Sequence, residues 1–537
     1  MRDGGYAVRA APSRHRYLER SPDIFADDQA ETVAFLENAA SYGASGEAIE
    51  RVDTHAASVF LIGGRAYKLK RAVRFSYLDF STVARREAAC RAELELNRRT
   101  APELYLGVRA IVRAPNGTLA FDGPGTTLDW VVEMRRFDQE LLFDRMAARG
   151  ELDDRLAESL SAEIARFHAA APRATDRGGR DGLERVANGI VGNLAAARDE
   201  LDPARCRTLA ERWQTEFARY GDLLDRRARA GKVRRCHGDL HLRNICLLHG
   251  RPTLFDALEF SEELATTDVL YDLAFLLMDL EHRALHRFAN RVFNEYLDRT
   301  GDTAGIAALP LMLSLRAAIR AHTGVAAARS QSHPERVAAA LDEARAYLAL
   351  AERLMERPAL RMIAVAGLSG SGKSTVARAL APRFGPAPGA RILHTDALRK
   401  ALFGAAKTER LDAAKYAPGV SERVYALQRD RATEALAAGY AVVADGVFVR
   451  PAERDAIARC AAAAGAAFAG VWLAAPAETL HERLAARRDD MSDATPGVLD
   501  AQLKLDPGRI DWPRVDARGS ADDVLDAAAS ALDTRRS

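Results

Sequence analysis

Cysteine and lysine are both scarce in this chain, and each shortage narrows what the protein can be. The five cysteines (Cys90, Cys206, Cys236, Cys246 and Cys460) are odd in number, scattered, and form no CxxC pair. That pattern excludes a disulfide framework and a cysteine-based zinc site, and it fits a reducing compartment. Only eight of the 77 basic residues are lysines, which with the abundant alanine reads as the codon bias of a GC-rich genome. Arginine could serve at most surface positions, so each lysine that remains is informative. Charge of one sign is also missing: 77 basic and 75 acidic residues leave a formal +2, with no long block of either. Sequence-independent nucleic-acid binding usually needs a concentrated basic patch, so the composition argues against it. The first twenty residues, MRDGGYAVRAAPSRHRYLER, contain no apolar core of a signal peptide. The most apolar stretch, Cys460–Ala475, is mostly alanine and too short to cross a bilayer. The expectation is a cytoplasmic protein without a membrane partner.

At 537 residues the chain exceeds one ordinary core. Residues 1–44 are read as a polar and partly helical extension. From 45 to 355 a β-rich opening, with a hairpin at Gly63-Gly64, gives way to long amphipathic helices. Residues 356–360 read as a linker. From 361 to 537 strands and helices alternate, which predicts a parallel α/β sheet.

Gly367-Leu368-Ser369-Gly370-Ser371-Gly372-Lys373-Ser374 matches G-x-x-x-x-G-K-[ST] between a predicted strand and a predicted helix. Glycines there let backbone N–H groups surround phosphate oxygens without side-chain obstruction. Lys373 is placed to reach the β/γ-phosphates and Ser374 to ligate Mg²⁺, with Thr375 opening the helix. Two later strands end in acids. Asp396 is expected to orient or deprotonate an acceptor hydroxyl, and Asp445 to help hold magnesium; an ordinary strand-end aspartate is the competing reading for each. Arg483 and Arg487 lie four apart on a predicted helix and could clamp phosphates as a lid or form a solvated basic face. With these residues the segment from about 360 to 537 resembles the P-loop, AAA-type ATP-binding kinases of metabolites, such as gluconate and shikimate kinases and their zeta-toxin-like relatives.

The first half carries His237-Gly238-Asp239-Leu240-His241-Leu242-Arg243-Asn244, with Leu254-Phe255-Asp256 twelve residues on. Asp239 has the type and spacing to take the acceptor hydroxyl's proton. Asn244 and Asp256 have those to hold Mg²⁺ against ATP. This set resembles the catalytic loop and metal-binding aspartate of the aminoglycoside phosphotransferase family, which has the protein-kinase fold. The resemblance implies a small lobe, a hinge near Glu133-Met134-Arg135 whose backbone meets adenine, and a helical lobe. It also implies an ATP-positioning lysine. Lys68 matches by distance from the Gly-Gly turn, with Lys70 as fallback and Glu93 or Glu87 as the helix partner. Two features depart from the family. Asp53-Thr54-His55-Ala56-Ala57-Ser58 replaces the Gly-rich loop, and no acidic aminoglycoside pocket is recognisable. Asp268 and Asp272 are expected to brace the catalytic loop.

The fold expected is thus an α+β two-lobed protein-kinase-like domain followed by an α/β P-loop domain with a parallel sheet. The function expected is ATP- and Mg²⁺-dependent phosphoryl transfer to hydroxylated small molecules at two centres. The alternative is a P-loop switch joined to a catalytically weak kinase-like sensor.

Overall fold

The computed structural model describes residues 23–24, 29–44, 46–54, 56–75, 78–174, 176–406, 409–486 and 495–533. The chain divides into two compact units, Met1–Phe137 with Leu258–Ser261, and Asp138–Ala257 with Glu262–Ser537.

The first unit is built on a six-stranded antiparallel sheet of β1 (Glu50–Asp53), β2 (Ala57–Ile62), β3 (Arg65–Lys70), β4 (Tyr105–Arg113), β5 (Leu119–Phe121) and β6 (Thr126–Arg135). Its spatial order is β1-β2-β3-β6-β4-β5. The Gly63-Gly64 turn joins β2 to β3, with Gly63 at φ +50°, a left-handed value that glycine tolerates. Alternation then sorts the side chains. Tyr67 and Leu69 of β3 join Phe60, Ile62, Ile111 and Val131 in one apolar layer, with Leu36 of the short helix Ala30–Leu36. Lys68 and Lys70 face the other way, toward helix α1 (Val83–Asn97), which contributes Glu93. The buried ion pair between Arg86 of α1 and Asp129 of β6, at 2.8 Å, ties that helix to the sheet.

The second unit holds helices and a parallel sheet. Its helical part includes α2 (Asp154–Ala170), α3 (Pro203–Arg229), α4 (Val269–His282), α5 (His286–Thr300), α6 (Leu309–Arg329) and α7 (Pro334–Arg353). Between α3 and α4 stands the hairpin of β7 (Ile245–Leu248) and β8 (Arg251–Leu254). His249 and Gly250 both take positive φ at its turn, the geometry that suits a two-residue hairpin. Helix α4 is buried almost throughout and forms the centre of the helical core. The stretch Ala304–Arg329 is long and apolar enough to span a bilayer, but 83% of its most apolar 18-residue window is buried, as in a core helix.

The parallel sheet contains β9 (Arg361–Gly367), β10 (Arg391–His394), β11 (Val442–Asp445), β12 (Ala467–Ala474) and β13 (Arg514–Asp516), in spatial order β10-β11-β9-β12-β13. All its pairings are parallel. Strand β10 lies at the edge, and α5 covers it with side chains. Asn294 Nδ2 donates to Ala390 O at 3.1 Å, and Asn294 Oδ1 accepts from Ile392 N at 2.8 Å. One side-chain amide thus satisfies the donor and acceptor that a neighbouring strand would otherwise pair. Asn290 adds bonds to Pro388 O and Ala390 O, and Asp298 pairs with Arg391.

Candidate active sites

In the first unit, Lys68 and Lys70 converge on one carboxylate. Lys68 Nζ donates to Glu93 Oε1 at 2.8 Å, and Lys70 Nζ lies 2.5 Å from Glu93 Oε2 and pairs with Glu259. Glu93 is fully buried. Desolvation works to raise its pKa, but the two ammonium groups outweigh it and hold the carboxyl below its ordinary value. Burial would lower the pKa of Lys70, yet Glu259 and Glu93 overcome that and raise it. Glu87 lies elsewhere, 2.8 Å from Arg91 on the open face of α1. Lys70 is enclosed between carboxylates, whereas the Lys68 side chain keeps 13% of its surface exposed. Met134 is buried on β6. The connection between β1 and β2 is a tight turn closed by Thr54 N donating to Ala57 O, and His55 lies outside the described residues.

The HGDLHLRN segment of the second unit is held from below by α4. Asp272 accepts from His237 N at 3.2 Å and Gly238 N at 2.8 Å, and Asp279, two turns on, accepts from Leu242 N at 3.0 Å. His168 fixes Asp272 in turn, with Nε2 at 3.0 Å, while its Nδ1 meets Tyr296 Oη at 2.9 Å. His168, Cys236 and Asp272 lie close enough to hold a metal, but both imidazole nitrogens are already engaged and Asp272 is committed to the loop. The cluster is a brace. Asp268 serves a different point: it caps α4 through Leu270 N and pairs with buried Arg227 at 2.7 Å.

This bracing aims the loop's functional groups together. Asn244 Nδ2 donates to Asp239 Oδ2 and to Asp239 O, both at 2.9 Å, and His241 Nε2 lies 3.4 Å from Asp239 Oδ2. Burial tends to raise the Asp239 pKa. The charge of His241, with smaller contributions from His237 and Arg320, reverses that and holds the carboxyl well below its usual range. The Asp239 side chain retains 38% of its surface, so solvent screens part of this field. Asp256 follows β8 with φ +59°, a strained value for a non-glycine residue and of the kind that concentrates at functional sites.

The third site lies at the carboxyl ends of the parallel strands. Gly367, Gly370 and Gly372 all have positive φ. A Cβ on Gly367 would stand 2.5 Å from Leu473 O, and one on Gly370 2.8 Å from Leu480 O, so the loop accepts no larger residue there. Helix α8 (Lys373–Leu380) begins immediately after Gly372. Ser374 Oγ donates to Asp445 Oδ2 at 2.6 Å, and His394 Nδ1 meets the same oxygen at 2.6 Å. Burial raises the Asp445 pKa, but His394, Lys373 and Ser374 together bring it below the ordinary value. Hard oxygen donors from Ser374 and Asp445 meeting at the foot of a phosphate loop are the set a magnesium ion prefers. Ser371 Oγ is buried and finds no partner among the described residues, and Thr375 is exposed. Lys373 Nζ donates to Leu368 O at 2.9 Å.

The remaining sequence candidates separate. Asp396 stands in the first turn of α9 (Thr395–Leu402), just past the end of β10. Arg483 belongs to a helix, Ala477–Ala486, and its Nη2 lies 3.4 Å from Arg518 O. Arg487 lies outside the described residues. Sequence reading missed Gln502, whose amide donates to Ser369 Oγ at 3.0 Å and accepts from Ser369 N at 2.9 Å. It also missed Gln428, which bridges Leu393 O and Asp445 O behind the two strand ends. Asp279 was more accessible, because an acid seven residues after Asp272 in an otherwise apolar helix signals a buried polar task.

These arrangements define a protein of the kinase class, and comparison with known proteins agrees. Residues 56–309 match the phosphotransferase enzyme family, and residues 362–505 match the AAA domain family. The chain is 32% identical over 481 residues to the uncharacterized protein Rv2004c of Mycobacterium tuberculosis (strain ATCC 25618 / H37Rv), covering 87% of this chain and 92% of the relative. The same values hold for the uncharacterized protein Mb2027c of Mycobacterium bovis. The chain belongs to the family of these mycobacterial proteins, and its own phosphotransferase and P-loop segments make it an ATP-dependent small-molecule kinase. Among solved structures, a gluconokinase from Sinorhizobium meliloti 1021 is 25% identical, covers 33% of this chain and 94% of its own, and has a TM-score of 0.24. A choline/ethanolamine kinase family protein from Mesorhizobium loti is 15% identical, covers 62% and 95%, and has a TM-score of 0.37.

Proposed function

We propose that the chain carries two working phosphotransfer centres, each using Mg-ATP and each transferring the γ-phosphoryl group to a hydroxylated small molecule. The observation that supports this most directly is the presence of two separate acid-centred constellations, Asp239 with Asn244 and Ser374 with Asp445. At the kinase-like centre the acceptor oxygen attacks the γ-phosphorus, the bond to the β–γ bridging oxygen breaks, and ADP leaves. Asp239, which its cationic surroundings keep ionised but weaken as a base, aligns the hydroxyl and takes its proton as the bond to phosphorus forms. Asn244 and Asp256 hold the metal, Lys68 with Glu93 meets the α/β-phosphates, and the backbone at Met134 meets adenine. At the P-loop centre the amides of residues 367–374, including Ser369 and Ser371, surround the β/γ-phosphates. Lys373 neutralises them, Ser374 and Asp445 would hold the metal, Asp396 orients the acceptor, and Arg483 stands to clamp the phosphates. In both centres the ion neutralises phosphate charge when bound, and rate comes from positioning.

A second reading, a P-loop switch with a kinase-like sensor, draws on the short Asp53–Ser58 turn that replaces a Gly-rich loop. One experiment separates the two. Purified protein with Mg-ATP and a metabolite pool yields phosphorylated products, and Asp239→Ala and Lys373→Ala remove different ones, each by about 10²–10⁴-fold. If Lys373→Ala ends all ATP turnover while Asp239→Ala ends none, the sensor reading holds and the two-centre reading fails.

A further inference from the structure

The phosphate loop takes its shape from three glycines, and that composition has a cost. Gly367, Gly370 and Gly372 allow the positive φ angles that turn the amides inward, but glycine also loses the most conformational freedom when it is fixed. A loop that became ordered only on meeting phosphate would give up much of its binding energy to that ordering. Holding the loop beforehand removes this loss. Within the loop, Ser371 N donates to Leu368 O at 3.2 Å, and Lys373 Nζ donates to the same oxygen. Neither bond reaches Ser369, which stands between Gly367 and Gly370.

Two helices from far along the chain supply the missing support. Helix α10 (Ala477–Ala486) places Leu480 and Leu484, and helix α11 (Pro496–Leu503) places Leu499, in one buried cluster against which Leu368 packs. Gly370 lies directly against the α10 backbone at Leu480. Thr495 caps α11 by accepting from Val498 N, and Pro496 opens the helix. Leu499 and Gln502 are three residues apart and share a face of α11, so the leucine anchors the helix and the amide is carried to Ser369. Gln502 Oε1 accepts from Ser369 N at 2.9 Å, and its Nε2 donates to Ser369 Oγ at 3.0 Å. One carboxamide therefore fixes both the backbone donor and the hydroxyl of a residue that is itself buried. Two bonds to one side chain set orientation as well as position, because turning the Ser369 peptide plane breaks the first and turning its hydroxyl breaks the second.

We propose that Gln502 is a positioning residue of the P-loop centre. It sets the backbone around Ser369 in advance, so that the loop meets the β/γ-phosphates of the nucleotide without first having to be ordered. The leucine cluster is the anchor that keeps Gln502 in reach. Helix α10 also carries Arg483, so the same seating fixes where that guanidinium stands. This rests on the reading of residues 367–374 as a nucleotide site.

The test is amide hydrogen exchange on the full chain, followed by mass on peptides spanning residues 367–376, which reads this loop separately from the kinase-like centre. Mg²⁺ with a non-hydrolysable β,γ-imido analogue of ATP is added in increasing amounts, and the midpoint of protection gives the loop's own affinity. The expected result is that Gln502→Ala speeds exchange of the loop before nucleotide is added and moves the midpoint up roughly tenfold, as the loss of two ordinary hydrogen bonds would. Ser369→Ala keeps the backbone bond and moves it less, by about two- to threefold. The two substitutions together add little to Gln502→Ala alone, as expected of two members of one contact. Thermal unfolding of each variant separates these shifts from misfolding, and Ser369→Ala carries the test if Gln502→Ala does not fold. A midpoint that Gln502→Ala leaves unchanged or lowers overturns the inference, as does full additivity of the two substitutions. Where Gln502→Ala does not fold, a midpoint unmoved by Ser369→Ala overturns it. Failure of the nucleotide to protect the loop in the unaltered protein refutes the nucleotide reading of residues 367–374 itself, which is a different outcome.

Discussion

Lys68 and Lys70 are two residues apart on one strand and share a carboxylate, yet their surroundings separate their tasks. Lys70 stands between Glu93 and Glu259 with almost no exposed surface, so its charge is committed to these two buried carboxylates. Lys70→Met should leave these acids undercompensated and destabilise the first unit by about 3–5 kcal/mol, read as a shift in the urea midpoint. Lys68→Met should cost much less stability and instead raise the KM for ATP. Equal destabilisation by the two variants would refute this division. Asp272 gives a pH expectation of the same kind. Its folded pKa is lowered, with burial opposed by the His168 hydrogen bond and by nearby positive charge. A depressed carboxylate contributes stability that is fully present above its unfolded value of about 3.9 and is lost as pH falls through the lower folded value. Asp272→Asn should therefore flatten the acid limb of the stability curve below about pH 4, and leave the neutral-to-alkaline limb unchanged.

At the scale of elements, the edge of the parallel sheet shows how a helix can take the place of a strand. Asn294 of α5 supplies both a donor and an acceptor to β10, in the i and i+2 pattern that an extended neighbour would satisfy. Asn294→Leu leaves Ile392 N–H buried without its acceptor, at a cost of about 1–3 kcal/mol. Hydrogen exchange should detect this as faster exchange at Ile392, and unchanged protection there would contradict the pairing. The same helix carries Tyr296, which holds His168 and through it the catalytic-loop brace. Strand, loop and helix types around both motifs were readable from pattern alone. The Gly-Gly turn opened a hairpin, and the run before Gly367 became a buried strand. What pattern could not supply was partner identity. Glu259 meets Lys70 across 189 residues of chain, and Gln502 meets Ser369 across 133. Neither Glu259 nor Gln502 differs in type or local context from a solvated residue, so nothing nearby in sequence marks it.

In the whole molecule, the helical part and the parallel sheet fall within one compact unit. The segment 356–360, which reads as a linker, is anchored: Arg357 pairs with Glu216 and lies over Tyr220. Tyr440 belongs to the helical core, stacks on Phe293 with centroids 5.4 Å apart, and donates to Ala387 O at 3.0 Å. An isolated fragment 361–537 would expose Tyr440, Arg391 and the edge of β10. Such a fragment should melt well below the corresponding transition in the full chain, or precipitate, and an equal melting temperature would show that the contacts contribute nothing.

The residue order alone determined the chemistry. A phosphate loop needs glycines, a lysine and a hydroxyl at set intervals, and a catalytic loop needs an acid and an amide five residues apart, so both are written in contiguous sequence. Tertiary structure alone decided which lysine is enclosed and which is open, and which acids brace the loop. Those outcomes depend on burial and on distance between remote segments, and electrostatic energy depends on both while local sequence records neither.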